Sequence, residues 1–114
     1  MDISIINYMH FKGKYIIYET NKEGKEYNYV NDLLYEGEYL NGERNGKGRE
    51  YNKQNKLIFE NEYKRGLKYG KVKIYDYDDG NLIFDGEYLN DKELLGKTYD
   101  KAGNIKYEIN KVNG

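Results

Sequence analysis

The chain has 114 residues, no cysteine, no proline, and 19 basic against 20 acidic side chains, a formal net charge of −1. That size bounds it to one domain, the missing thiols exclude disulfides and thiolate chemistry, and the balanced charge gives no global field toward nucleic acid or an anionic membrane. A mean hydropathy of −1.08 would by itself suggest disorder, but 15 tyrosines argue for a thin ordered domain, because tyrosine buries a ring while keeping its hydroxyl at a wet edge.

The first segment, 1–33, reads as an irregular N-terminal capping unit. Ile3, Ile5, Ile6, Tyr8 and Met9 make an apolar run too short for a signal peptide and without a basic leader. It reads instead as a short strand covering the first repeat. Phe11-Lys12-Gly13-Lys14-Tyr15 starts a repeating pattern, but residues 16–33 lack the glycine-rich return and carry Tyr18, Tyr27 and Tyr29.

Three copies follow over 34–104. An aromatic recurs at Phe11, Tyr35, Phe59, Phe84 and Tyr107, at intervals of 24, 24, 25 and 23. A second series, Tyr15, Tyr39, Tyr63 and Tyr88, trails it by four residues. A repeat of this length is one supersecondary unit stacked on copies of itself. Within a copy, Tyr35, Gly37 and Tyr39 share one parity and Glu36 and Glu38 the other, the period of a strand with unlike faces. Asn41-Gly42 and Arg65-Gly66 are positive-φ turn pairs. Lys53-Gln54-Asn55-Lys56, Asp78-Asp79-Gly80-Asn81 and Lys101-Ala102-Gly103-Asn104 are the turns between copies. The prediction is an all-β, single-layer twisted antiparallel meander of about eight to ten strands. Equivalent strands of successive hairpins would lie ~9.6 Å apart, too far for rings to stack directly. Gly46, Gly48 and Gly70 are therefore expected to leave room for rings to lie over bare backbone. Residues 105–114 begin a further copy, Ile105-Lys106-Tyr107-Glu108-Ile109, and stop.

Together these residues resemble MORN repeats, whose pattern is aromatic-x-Gly-x-aromatic, then x-x-Gly, then Gly-x-Gly. Tyr35, Gly37, Tyr39, Gly42, Gly46 and Gly48 match closely. Phe84, Gly86, Tyr88 and Gly96 match in part, and the second copy puts Asn61 and Val72 where the pattern has glycine. Gly80-Asn81-Leu82 and Gly103-Asn104-Ile105 look like the bacterial-type variant, and the match runs from about Phe11 to Ile109. The resemblance implies consecutive β-hairpins without enzymatic activity, serving in scaffolding, dimerisation or phospholipid contact, with an antitoxin-like bacterial branch. Fold alone fixes none of these roles.

Little here points to catalysis. His10 is the only histidine, Ser4 the only serine, and Thr20 and Thr98 the only threonines, so a nucleophile, base and orienter are hard to assemble. Glu36 and Glu38, Glu60 and Glu62, and Asp85 and Glu87 recur with the repeat, opposite Lys47, Arg49, Lys71, Lys73 and Lys97. That reads as a solvated, ion-paired face rather than the two carboxyls of a glycosidase. Asp76-x-Asp78-Asp79-Gly80 has the opening of a calcium loop but not its remainder, and reads as a turn. Gly42 to Gly48 lacks the Lys-Ser/Thr of a Walker loop. No metal or cofactor is expected.

Nine tyrosines fall on repeat positions and are expected to be structural: Tyr15, Tyr35, Tyr39, Tyr51, Tyr63, Tyr75, Tyr88, Tyr99 and Tyr107. Six do not. Of these, Tyr18, Tyr27, Tyr29, Tyr69 and Tyr77 are the candidate partner contacts, joined by Arg65 and Lys68 from the basic stretch 64–73; Tyr8 is the sixth. The expected function is a cytoplasmic protein-binding module of inhibitor, immunity or antitoxin type acting by steric occlusion. The alternatives are a self-associating scaffold, including a homodimer through end strands, or weak membrane-surface contact through 64–73. Nucleic acid is not an expected partner.

Overall fold

The computed structural model describes residues 3–8, 13–18 and 22–112, the first two segments as backbone strands. His10 and Phe11 lie outside the described residues, as do the side chains of Tyr8, Tyr15 and Tyr18. The architecture is the expected one. Among the described residues, ten strands form a single antiparallel sheet in chain order: β1 (Ile3–Tyr8), β2 (Gly13–Tyr18), β3 (Glu23–Tyr27), β4 (Leu33–Leu40), β5 (Glu43–Tyr51), β6 (Leu57–Lys64), β7 (Leu67–Tyr75), β8 (Leu82–Leu89), β9 (Lys92–Tyr99) and β10 (Ile105–Asn110). The irregular first unit supplies β1–β3 of this same sheet. Residues 105–110 supply β10.

Two kinds of connection alternate. At one end of the sheet, tight turns place Asn41 and Gly42 at φ 52° and 79°, and Arg65 and Gly66 at 52° and 82°, the geometry of primed hairpin turns. At the other end, each loop among the described residues is organised by one Asn or Asp whose Oδ1 accepts two backbone N–H groups. Asn28 accepts from Val30 and Asp32, Asn52 from Gln54 and Lys56, Asp76 from Asp78 and Asp79, and Asp100 from Ala102 and Asn104. These four positions are spaced by 24 each time. Those backbone amides of Asp79 and Asp78 hold the Asp76 carboxyl below the usual carboxylate range. The third loop closes from Asp76 to Asn81, whereas the second closes from Asn52 to Lys56. The extra residue there accounts for the 25-residue interval.

The short interval has its own cause. In the first copy, Gly37 pairs Gly48 and Tyr39 pairs Arg44, so Asn45, Gly46 and Lys47 bulge opposite Glu38 alone. In the third copy, Glu87 pairs Leu95 and Tyr88 pairs Glu93, leaving only Leu94 extra. The residue missing from that copy comes out of the bulge.

The expectation that glycines seat aromatic rings holds at Gly48 and fails at two positions. A Cβ on Gly48 would collide with the Tyr35 ring, and one on Gly96 would lie 2.6 Å from Cζ of Phe84. Gly46 and Gly70 instead form the bulges, at φ 99° and 84°. They face the carboxylates of Glu38 and Glu62, at 2.6 and 3.1 Å from a hypothetical Cβ. In the second copy, Asn61 and fully buried Val72 fill the place that glycines leave open. Phe59 stays half-buried there, with Lys68 Nζ 4.6 Å over its ring.

The core lies on one face and is mostly tyrosine. Tyr35, Tyr39, Tyr63, Val72 and Phe84 are buried, together with Glu26, Asn52 and Asn61. Tyr35 meets Tyr39 and Tyr63 edge to face, with centroids 5.7 and 5.5 Å apart, the geometry the ring quadrupole prefers. Tyr51, Tyr75, Tyr88 and Tyr99 are half-buried. Tyr107 departs from the structural role expected of it: on terminal β10 it is 55% exposed, because no described strand follows to cover its ring.

Candidate protein-docking trough

The two faces differ because the strand period separates them. Tyr35, Gly37 and Tyr39 face the core, so Glu36 and Glu38 face the other way, and every later strand repeats this division. The register then builds a row of side chains across the second face. Lys25 is opposite Glu36, Glu36 opposite Arg49, and Arg49 opposite Glu60. Glu60 is opposite Lys73, Lys73 opposite Asp85, Asp85 opposite Lys97, and Lys97 opposite Glu108. The sign alternates at every step across eight strands. A second row, two residues along, pairs Lys47 with Glu62 and Lys71 with Glu87.

Between the rows runs a lane of positions whose side chains are absent or turned to the core: Gly24, Gly37, Gly48, Asn61 and Val72. The result is an open trough of about 660 Å³, floored by backbone and walled by charge, from Glu23 and Lys25 to Asp85. From β4 to β7 each strand offers two like charges into it, in the order acidic, basic, acidic, basic; Asp85 of β8 continues the series. Two carboxylates are held by phenols. Tyr51 donates to Glu36 at 2.8 Å, and Tyr75 donates to Glu60. Partial burial, with the hydrogen bond to Glu60, pushes the Tyr75 phenol up to about 12. Arg49 Nε lies 3.5 Å from Glu60, with the arginine 57% exposed. An exposed pair of this kind contributes only ~0–1 kcal/mol, so a partner can exchange it for its own charges at small cost.

A second electrostatic system, which sequence reasoning missed, lies on the core face. Arg44 Nε and Nη2 donate to the two oxygens of Glu26 at 2.7 and 2.9 Å. Its Nη1 donates to Glu50 and to the Tyr63 hydroxyl, each at 3.2 Å. Tyr39 donates to Glu26 and Tyr63 to Glu50, both at 2.6 Å. The Asn61 amide donates to Glu50 at 3.0 Å, and Lys68 Nζ lies 3.6 Å from the same carboxylate. Burial first, then the adjoining carboxylates, raises the phenols of Tyr39 and Tyr63 well above the ordinary range. Desolvation pushes Arg44 down, but the Glu26 hydrogen bonds and charge outweigh it, and the guanidinium stays protonated. A charged residue stands opposite the second aromatic of each copy, Arg44, Lys68 and Glu93 in turn, a regularity that emerges only once the pairing register is known.

The seven residues singled out for partner contact do not converge. Tyr29, 76% exposed, and Tyr77 stand on Asn/Asp-organised loops at one end, with the exposed Val30 beside Tyr29. Half-buried Tyr27 ends β3 nearby. Tyr69 and Arg65 lie toward the opposite end, and Lys64 Nζ sits 4.9 Å over the Tyr69 ring. Lys68 is turned to Glu50 and Phe59 on the core face. Tyr18 ends β2, opposite Glu23, with its side chain outside the described residues. The basic stretch 64–73 is likewise divided: Lys68 goes to the core face, Lys71 and Lys73 line the trough, and Arg65 sits in the turn. No helix among the described residues is long and apolar enough to cross a membrane.

No protein-family model matches the chain, and no curated protein sequence matches it.

Proposed function

We propose that the chain is a non-enzymatic protein-binding module that seats one segment of a partner in the trough and acts by occlusion, as an inhibitor or antitoxin-type protein does. One observation carries this reading: like charges are doubled on each strand and alternate in sign from strand to strand along an open lane. Successive strands lie ~4.8 Å apart, so like signs recur every ~9.6 Å. A segment with charges of alternating sign at that pitch is complementary, and complementarity of this kind sets specificity and encounter rate. The cysteine-free composition fits a reducing compartment such as the cytoplasm. The division of residues 64–73 between two faces favours a protein partner over a lipid surface.

Affinity capture with the wild-type chain, Lys47→Glu/Lys71→Glu and Tyr29→Ala/Tyr77→Ala tests the reading. The expected result is a partner lost with the lysine reversals and kept with the tyrosine truncations, then one-to-one stoichiometry with that purified partner by calorimetry. Capture unchanged by the reversals and abolished by the truncations would move the site to the loop end and reject the trough.

A further inference from the structure

We propose that the partner segment seated in the trough is a polyproline II helix whose three-residue turn carries one acidic and one basic side chain. This rests on the trough reading above and adds the conformation and the period of its occupant.

Width excludes an α-helix. The two charged rows stand two residues apart along each strand, with Glu36 and Glu38 on β4 and Lys71 and Lys73 on β7, a separation of ~6.8 Å. A helix with its side chains is ~10–12 Å across, so it would ride on the walls and never meet the floor. Hydrogen bonding excludes a β-strand. Strands β4 to β7 are each paired on both sides, so the floor has no free ladder groups for a guest backbone. A polyproline II chain needs none, because its backbone groups stay bonded to water, and the open trough leaves them wet.

The pitch selects the same conformation. The basic side chains come from β3, β5 and β7: Lys25, then Lys47 with Arg49, then Lys71 with Lys73. Alternate strands are ~9.6 Å apart, and three polyproline II residues advance ~9.3 Å and return to the same side. An acid at every third position therefore stays in step, drifting only ~0.6 Å over two turns. In an extended strand the third residue along points to the opposite side. A base one residue after each acid lies ~3.1 Å further on, and its flexible stem spans the remaining ~1.7 Å to the acidic strand between.

The acids of the trough are already held by the fold, and the lysines are not. Glu36 and Glu60 accept from Tyr51 and Tyr75, and Glu38 accepts from the Lys47 amide at 3.2 Å. The Glu62 carboxylate is turned to the Gly70 bulge. Among the described residues, Lys25, Lys47, Lys71 and Lys73 enter no ion pair. The guest's acids thus meet the groups still open to a partner, and their spacing decides the fit.

Fluorescence anisotropy with three labelled peptides tests this. One is four repeats of Glu-Lys-Pro. The second has the same residues shuffled so that neither charge recurs at every third position, and the third is an alanine-based helix carrying the same charges. The repeat should bind at least about tenfold more tightly than either control, and Lys47→Glu/Lys71→Glu should weaken it by about tenfold or more. If a control binds as tightly as the repeat and the reversals weaken both, the polyproline II proposal is overturned while the trough reading stands. If no peptide binds, the proposal is overturned, and capture of the partner through Lys47 and Lys71 still decides the trough reading. Binding indifferent to the reversals also overturns the proposal, since the peptide then sits elsewhere.

Discussion

Arg44 lies with its guanidinium carbon 4.0 Å from the centroid of the Tyr35 ring and 5.3 Å from that of Tyr63. In a single-layer sheet no second layer covers the core face, so a cation supplies the lid. Guanidinium suits this place because its flat surface stacks on rings while its edge donates bidentately to Glu26.

Arg44→Met should therefore lose about 3–5 kcal/mol, because it leaves the buried Glu26 carboxylate without its counter-charge. Arg44→Lys should recover only part of that, having no planar fork. Adding Glu26→Gln to Arg44→Met should be less damaging than the two single losses summed. Urea unfolding of the four variants measures all three statements.

Tyr35→Phe should be neutral or stabilising by up to about 1 kcal/mol. The Tyr35 hydroxyl is buried without a hydrogen-bond partner among protein atoms, and an unmet buried hydroxyl costs stability. The equivalent positions are already Phe59 and Phe84. Tyr63→Phe should instead lose roughly 1.5–3 kcal/mol, since it removes a hydrogen bond to the Glu50 carboxylate. Thermal unfolding of the pair separates them by sign.

Gly48→Ala should cost about 1–3 kcal/mol, the usual range for overpacking, because the added carbon meets the Tyr35 ring and the ring is held by Arg44. The exposed loop substitution Lys53→Ala should stay within about 0.5 kcal/mol. Chemical denaturation of both checks the contrast.

Alkaline pH should unfold the protein early. The folded-state phenols of Tyr35, Tyr39 and Tyr63 are raised, chiefly by burial, so the folded state holds protons that the unfolded chain releases near pH ~10. The stability these groups contribute is intact below that value. It falls as pH rises above it, by up to ~1.4 kcal/mol per pH unit for each raised tyrosine. Urea midpoints should be flat to about pH 10 and drop steeply beyond, with tyrosinate absorbance appearing together with unfolding.

The strand count, the hairpin order and the division of faces were legible because each has a local signature: period two within strands and Asn-Gly or Arg-Gly at the turns. The loop organisers Asn28, Asn52, Asp76 and Asp100 were equally periodic but were hidden by their chemistry, since Asn and Asp are common in any loop. Gly46 and Gly70 misled for a related reason. Glycine marks both a seat for a ring and a positive-φ bulge, and only the pairing register tells them apart. The Glu26–Arg44–Glu50–Lys68 network was the least accessible part. Charged residues in so polar a chain read as surface, and their burial depends on rings contributed by neighbouring strands.

The differences among the copies also bear on how the chain finds its pairing. Each strand bonds to its sequence neighbour, which keeps loop closures short and assembly quick. A near-identical module invites slippage by one whole unit, and the charge stripes do not prevent it, since Glu36 would meet Lys73 as well as it meets Arg49. Val72 does prevent it. The ring of Tyr35 needs the bare surface of Gly48, so β4 laid against β7 would clash, and the one copy that breaks the glycine pattern acts as a sorting key against mismatched hairpins.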